Sequence, residues 1–147
     1  MEALARLQVA NVMSAPVLTV DLDASLEQVH ELFERRRIRH APVVEHGQLV
    51  GIVSDRDLLR HVSPFIGTIS ERQQDLSTLK RHAHQVMTRN PVTIAEDAPL
   101  AEAIDALLLH RISCLPVLDL RGHLVGLLTL RDVLKAVARS LSQTLLE

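Results

Sequence analysis

Between residues 26 and 36 the apolar positions fall at Leu26, Val29 and Phe33, and charged or amide residues fill the gaps. That spacing places them on one face of a helix, predicted from about Ser25 to Arg36. Leu100, Ile104 and Leu107 give the same periodicity, predicting a second helix from Pro99 to His110, with Pro99 suited to its first turn. Short β-rich runs surround these helices. One ends at Thr19–Val20 and its counterpart at Thr93–Ile94. After each helix come "APVVE" and "QLVGIVS", then "LPVLD" and "HLVGLLT", joined through "HG" and "RG" as hairpin connections. A further helix is expected from Ser54 and from Thr129 onward.

The pattern therefore occurs twice. Shifting the chain by 74 residues sets "VMSAPVLTVDLDASL" (12–26) on "VMTRNPVTIAEDAPL" (86–100) and "RIRHAPVVE" (37–45) on "RISCLPVLD" (111–119). After a one-residue insertion, "GQLVGIVSDRDLL" (47–59) falls on "GHLVGLLTLRDVL" (122–134). Such ordered matching is the mark of an internal duplication. The expected organisation is a lead-in over 1–10, a first unit over 11–62, a polar helical linker over 63–85, and a second unit over 86–147. The second unit ends in an extended helix. A unit of roughly 50–60 residues buries too little surface to be comfortably stable alone. The two are therefore expected to pack sheet to sheet around one core with pseudo-twofold symmetry, and to leave two clefts.

Two segments are set apart by their polarity. The linker "SERQQDLSTLKRHAH" is mostly polar and reads as an exposed connecting helix, with Leu76 and Leu79 at helical spacing. In the C-terminal segment Val133, Leu134, Val137, Leu141 and Leu145 form an apolar stripe that outruns the repeat. It reads as the core face of a terminal helix or as a contact with a second chain.

Bulk composition narrows the function classes. The chain has 147 residues, 47% apolar and 23% charged, as soluble globular domains do. Sixteen basic and eighteen acidic residues leave a formal charge of −2, which gives nucleic acid or an anionic membrane no electrostatic purchase. A single Cys excludes an internal disulfide framework and fits a reducing compartment, so a cytoplasmic setting is expected. No apolar run approaches a bilayer span, and no leader pattern opens the sequence.

The chemistry-bearing candidates are Ser54 with Asp57 and Thr129 with Asp132. A hydroxyl followed three residues later by an acid, before an apolar run, is a capping-box pattern. Asp is a methylene shorter than the usual Glu, so it is expected to reach the cap amide less well and to keep capacity for another donor. A helix N-terminus also suits phosphate, and a carboxylate suits the two hydroxyls of a ribose. Capping and nucleotide binding both remain open on the residues alone. Other chemistries find less support. Cys114 lacks an adjacent base and reads as a buried small residue. The "HAH" of 82–84 has no Cys or acid cluster to complete a metal site and reads as solvated linker. Arg35 to Arg37 read as surface charge at a helix C-terminus. Gly51 and Gly126 belong to no phosphate loop and read as sites of a strand bend or close backbone approach.

Taken with their order, "VMSAPVLTV" and "VMTRNPVTI", "IRHAPVVE" and "ISCLPVLD", and the two G-x-x-[ST]-x-x-D segments resemble a tandem pair of cystathionine-β-synthase-type (CBS) domains, a Bateman module. The resemblance covers about residues 11–60 and 86–138. It implies an α/β (α+β) fold of two β-α-β-β-α units, dimerisation, no catalytic activity, no required cofactor and no metal. It also implies an adenosine ligand such as AMP, ADP, ATP or S-adenosylmethionine. Carried over by position, Asp57 would hold a ribose and Ser54 a phosphate, with Arg39 and His40 toward the phosphates and Thr88, Pro91, Val92 and Thr93 along the nucleoside. In the second cleft Asp132 and Thr129 take these roles beside Ser14, Val17, Leu18 and Thr19, and Ser113 and Cys114 replace Arg39 and His40. The expected function is regulatory nucleotide sensing as a homodimer acting on an unidentified protein partner. The alternatives are an interaction scaffold with a vestigial site and, less favoured, a nucleotide hydrolase using Asp57 with His40.

Overall fold

The computed structural model describes residues 2–146. The mixed α/β chain forms two compact units, one from Leu18–Pro91 (the central unit) and one from residues up to Val17 with those from Val92 onward (the terminal unit).

In the central unit β1 (Val20–Asp21) is followed by α2 (Leu26–Arg36), β2 (His40–Glu45), β3 (Gln48–Ser54) and α3 (Asp55–His61); α1 is a single turn at Glu2–Ala5 in the terminal unit. A short α4 (Gln73–Ser77), α5 (Ala83–Val86) and β4 (Thr88–Arg89) complete it. The sheet order is β1-β2-β3-β4, with β1 parallel to β2 and the remaining pairs antiparallel. The terminal unit repeats the plan: β5 (Ile94–Ala95), α6 (Leu100–His110), β6 (Cys114–Leu118), β7 (Leu124–Thr129) and α7 (Leu130–Leu146). Its sheet runs β5-β6-β7, again parallel then antiparallel, and Ser14 bridges to Leu127 on the free side of β7.

Local sequence explains the helix starts. Ser25 caps α2, accepting from Gln28 N while Gln28 Oε1 returns to Ser25 N at 2.9 Å. Leu26, Val29 and Phe33 are buried, as their spacing predicts. In α6, Leu100, Ala103 and Leu107 are buried and Ile104 packs beside them. Pro99 sits one residue earlier than expected, at the extended cap position (ψ 141°) rather than inside the first turn. The opening strands likewise lie one residue later than predicted. The "HG" turn is a two-residue connection with both His46 and Gly47 at positive φ. The "RG" turn is longer: Asp119 Oδ1 accepts from Arg121 N and His123 N, both at 2.9 Å, and closes a five-residue loop between Leu118 and Leu124.

The compact units and the repeats do not coincide. The segment opening each repeat docks in the compact unit built from the other repeat's hairpin. Val9 N donates to Ala98 O (2.9 Å), Ala10 N to Glu96 O (2.8 Å) and Leu100 N to Leu7 O (2.8 Å). Seventy-four residues on, Ala83 N donates to Ala24 O (2.8 Å), His84 N to Leu22 O (3.0 Å) and Leu26 N to Arg81 O (2.8 Å). The same bonds are made twice. They carry Val9 into the core around Leu100, Leu115 and Leu128, and Ala83 and Val86 into the core around Leu26, Val43 and Val53. The buried residues thus form two clusters, one per unit, where a single shared core was expected.

The exchange also accounts for the strand glycines. A Cβ on Gly51 would stand 2.5 Å from Met87 Sδ and 2.8 Å from Thr88 O; on Gly126 it would stand 2.5 Å from Met13 Sδ and 3.1 Å from Ser14 O. Glycine lets the incoming segment lie directly against the hairpin, next to the register shift in each strand pair.

The expected exposed linker helix is not formed. Residues 63–85 fold as α4, a 3-10 turn at Thr78–Lys80 and α5, docked on the central unit. Asp75 is the reason: it is buried, accepts from Arg72 N (2.7 Å) and Ser63 Oγ (2.8 Å), and pins the segment back on the end of α3. Among the described residues no helix is long and apolar enough to cross a membrane. Along α7, Val133 packs on the terminal core, Val137 is half-buried, and Leu134, Leu141 and Leu145 are exposed.

Candidate nucleotide site

In the central unit β3 delivers Ser54 to the start of α3. Ser54 Oγ accepts from Asp57 N (3.2 Å), while Asp57 Oδ2 accepts from Ser54 N (2.7 Å) and from the Ser54 hydroxyl (3.0 Å). The terminal unit repeats the arrangement with Thr129 and Asp132. Asp132 Oδ2 accepts from Thr129 N and Thr129 Oγ1, each at 3.0 Å, and Thr129 Oγ1 accepts from Asp132 N at 3.2 Å. The expectation that Asp reaches the cap amide less well is therefore not met, since both acids accept from the cap N–H at hydrogen-bond distance. The cap residue sits at φ −119°, ψ 167°, and this extended backbone brings its N–H within reach of the shorter acid.

The two carboxylates then diverge. Asp132 is buried, and its Oδ1 accepts from Ser14 Oγ at 2.9 Å. Two residues assigned to the second cleft thus satisfy each other, and Asp132 has donors on both oxygens. Asp57 is half-buried, with both of its cap contacts on Oδ2. Thr88, the repeat counterpart of Ser14, is exposed on the edge strand β4, paired with Ile52.

Next to Asp57, β2 pairs His40 with Ser54, and Asp55 N donates to Arg39 O at 2.9 Å. Arg39 is exposed and His40 half-buried. Burial holds the His40 pKa below its ordinary value, against the opposing pull of Asp55 and Asp57 and with the help of Arg39 and Arg56. His40 is accordingly neutral at pH 7, so in the resting protein the cation at this position is Arg39, not the pair. In the terminal unit β6 pairs Cys114 with Thr129, where His40 pairs with Ser54. Cys114 is buried and its thiol is pushed up to about 12 by desolvation, which leaves it un-ionised and unreactive. Ser113 is exposed on the approach to β6.

Arg39, His40, Ser54, Asp57, Thr88 and Pro91 belong to the central unit, and Ser14, Val17, Ser113, Cys114, Thr129 and Asp132 to the terminal unit. Val92 and Thr93 belong to the terminal unit and Leu18 and Thr19 to the central one. Sequence reading missed the Ser14–Asp132 bond. Its only signal was the alignment of Ser14 with Thr88, which does not show that one hydroxyl turns to the acid. His82 and His84 stack with ring centroids 5.5 Å apart, and His82 Nδ1 meets Asp23 O at 2.8 Å. Among the described residues no three His, Cys, Asp or Glu side chains gather as a metal site.

Comparison with known proteins agrees with this plan. The family model described as the CBS domain matches residues 9–64 and 83–139. A CBS domain-containing protein of Dictyostelium discoideum is 35% identical over 136 residues, covering 90% of this chain and 92% of its own. The inosine-5'-monophosphate dehydrogenase of Thermoplasma acidophilum is 35% identical over 118 residues, but this chain spans only 21% of its length. Among solved structures, the CBS domain pair of protein MJ0100 in complex with 5-methylthioadenosine and S-adenosyl-L-methionine superimposes with a TM-score of 0.76 at 26% identity, covering 91% of this chain and 98% of that one. CBSX2 in complex with AMP superimposes with a TM-score of 0.73 at 27% identity, covering 90% and 96%.

Proposed function

We propose, from the premise that this chain belongs to the CBS-domain family as a tandem pair, that it is a non-catalytic regulatory module whose ligand is an adenosine compound. The observation that carries the reading is Asp57. It is an acid on the first turn of a strand-capped helix, half-buried, with Arg39 and a neutral His40 on the adjoining strand. A carboxylate there accepts from a ribose diol, and Arg39 with the Ser54 cap meets a phosphate. The similar CBS pairs solved with AMP and with S-adenosyl-L-methionine support the ligand class. Phosphorylated ligands bind mainly at Asp57, because Ser113 and Cys114 supply no cation and Asp132 already holds Ser14. Binding is read out by linkage, in that a ligand favours one arrangement only by its differential affinity for it. The module works as a cytoplasmic homodimer through the exposed Leu134, Leu141 and Leu145 of α7 and signals to a protein partner.

Thermal-shift measurements with AMP, ADP, ATP and S-adenosylmethionine test this directly, since a ligand of the folded state raises the melting temperature by mass action. A second reading, an interaction scaffold with a vestigial site, is favoured by the use of both acids in helix capping. It predicts no shift with any of the four.

A further inference from the structure

The terminal unit holds an open cavity of about 430 Å³ between its first residues and α7, within the range of small-molecule sites. Leu4, Leu7, Val12 and Met13 make one wall. Lys135 and Arg139, one turn apart on the same face of α7, line the opposite side with Ala136 between them. Ser14 and Asp132 close one end, already bonded to each other. Both cations are exposed, and among the described residues neither has an ion-pair or hydrogen-bond partner. Asp132 forms an ion pair with neither cation among the described residues, its oxygens being engaged by Ser14 and by the Thr129 cap.

The repeat supplies an internal control. Thr78 and Arg81 stand in the central unit where Leu4 and Leu7 stand here, and Pro64 stands where Arg139 does. There polar side chains bond to one another. Ser63 N donates to Thr78 Oγ1 (3.0 Å), Ser63 Oγ donates to Asp75 Oδ1 (2.8 Å), and Arg81 Nη1 meets His61 Nδ1 (3.1 Å). The terminal unit has an apolar wall in place of those polar contacts, keeps a cation at Lys135 where the central unit has Arg60, and adds Arg139 where that unit has Pro64, on a helix that runs on past the repeat.

We propose that this cavity binds a small amphipathic anion. Its carboxylate or phosphate head is held by Lys135 and Arg139, and its apolar body lies along Leu4, Leu7, Val12 and Met13. The inference uses neither Asp57 nor its neighbours, and it touches the residues assigned to the second cleft only at the end closed by Ser14 and Asp132. Charge-assisted hydrogen bonds fix the head, and the aliphatic stems of the two cations extend the apolar lining.

The test is titration of the full chain with the dye 1-anilinonaphthalene-8-sulfonate, an aromatic anion, beside the uncharged N-phenyl-1-naphthylamine. The sulfonate should saturate at one dye per chain. The double change Lys135→Gln, Arg139→Gln should weaken it by about tenfold or more, the loss of about one strong charge-assisted contact. The uncharged dye should change less than about threefold, a difference below that of one such contact. Ala3→Phe, on an exposed position that lines the cavity, should weaken both dyes while the melting temperature holds. Octanoate and octyl phosphate should displace the sulfonate, and the one effective at lower concentration identifies the head. Equal sulfonate affinity in the double variant would overturn the proposal, as would displacement by octanol as effective as by octanoate. Loss of AMP binding in the double variant would also overturn it, by making the cavity part of the nucleotide site.

Discussion

The two units are built on one plan, and their acids face different circumstances. Asp57 and Asp132 close the same capping box with nearly the same distances. Yet Asp132 is buried with a hydroxyl on its second oxygen, and Asp57 is half-buried beside Arg39 and His40. Duplication preserved the backbone device, and divergence around it left one acid buried with both oxygens bonded and the other half-buried with both cap contacts on one oxygen. The strand glycines differ in the same graded way. Gly51 faces backbone at 2.8 Å, whereas Gly126 faces chiefly the flexible Met13 side chain, with backbone no nearer than 3.1 Å.

That contrast gives the largest expected effect. Gly51→Ala should cost about 2–3 kcal/mol, because the Thr88 carbonyl cannot swing aside, whereas Gly126→Ala should cost about 1 kcal/mol as Met13 repacks. Urea denaturation of both variants compares them, and equal losses would remove the asymmetry. Next, Asp57→Ala should weaken AMP by ~1.5–3 kcal/mol, the range for hydrogen bonds to a charged group. Its fold should lose only about 1 kcal/mol of capping. Asp132→Ala should reverse the pattern, with about 1–2 kcal/mol lost from stability as the cap and its bond to Ser14 are removed, and little lost from AMP binding. Normal AMP binding by an Asp57→Ala protein that melts far lower would reduce Asp57 to a cap.

A smaller effect follows from making one unit copy the other. Arg39→Ser with His40→Cys should depress ATP and ADP affinity strongly, AMP less and adenosine least, and added salt should blunt the wild-type preference for more phosphates. Calorimetry with the four ligands checks this, and a uniform loss would mean that the two residues shape the pocket instead. The smallest effect is on pH. The folded His40 pKa lies below its unfolded 6.5, so the unfolded chain binds more protons in the window below that value. The His40 contribution to stability is fully present above pH 6.5 and is lost as pH falls through the folded pKa. His40→Gln should flatten that limb of a denaturation-against-pH curve.

Much of this plan was legible in the sequence because it rests on local rules. Helical spacing located Leu26, Val29 and Phe33, and the hydroxyl–acid pairs located both caps. What escaped depends on contacts between distant segments. The docking of Val9 and Ala83 on the opposite repeat's hairpin is encoded only in small residues, Gly51 and Gly126, whose meaning needs the partner segment. The linker's fold hangs on one buried acid, Asp75, in a stretch whose average polarity reads as exposed. Around the candidate site, the two hydroxyl–acid caps were legible, but the lowered His40 pKa and the Ser14–Asp132 bond follow from burial and geometry that a one-dimensional pattern does not carry.

The most direct test of the account is calorimetric titration of AMP into the wild-type chain, Asp57→Ala and Asp132→Ala. The account predicts one dominant site per chain in the wild type, retained in Asp132→Ala and lost or weakened by roughly tenfold or more in Asp57→Ala. Two equal sites, or an unchanged isotherm for Asp57→Ala, would contradict it.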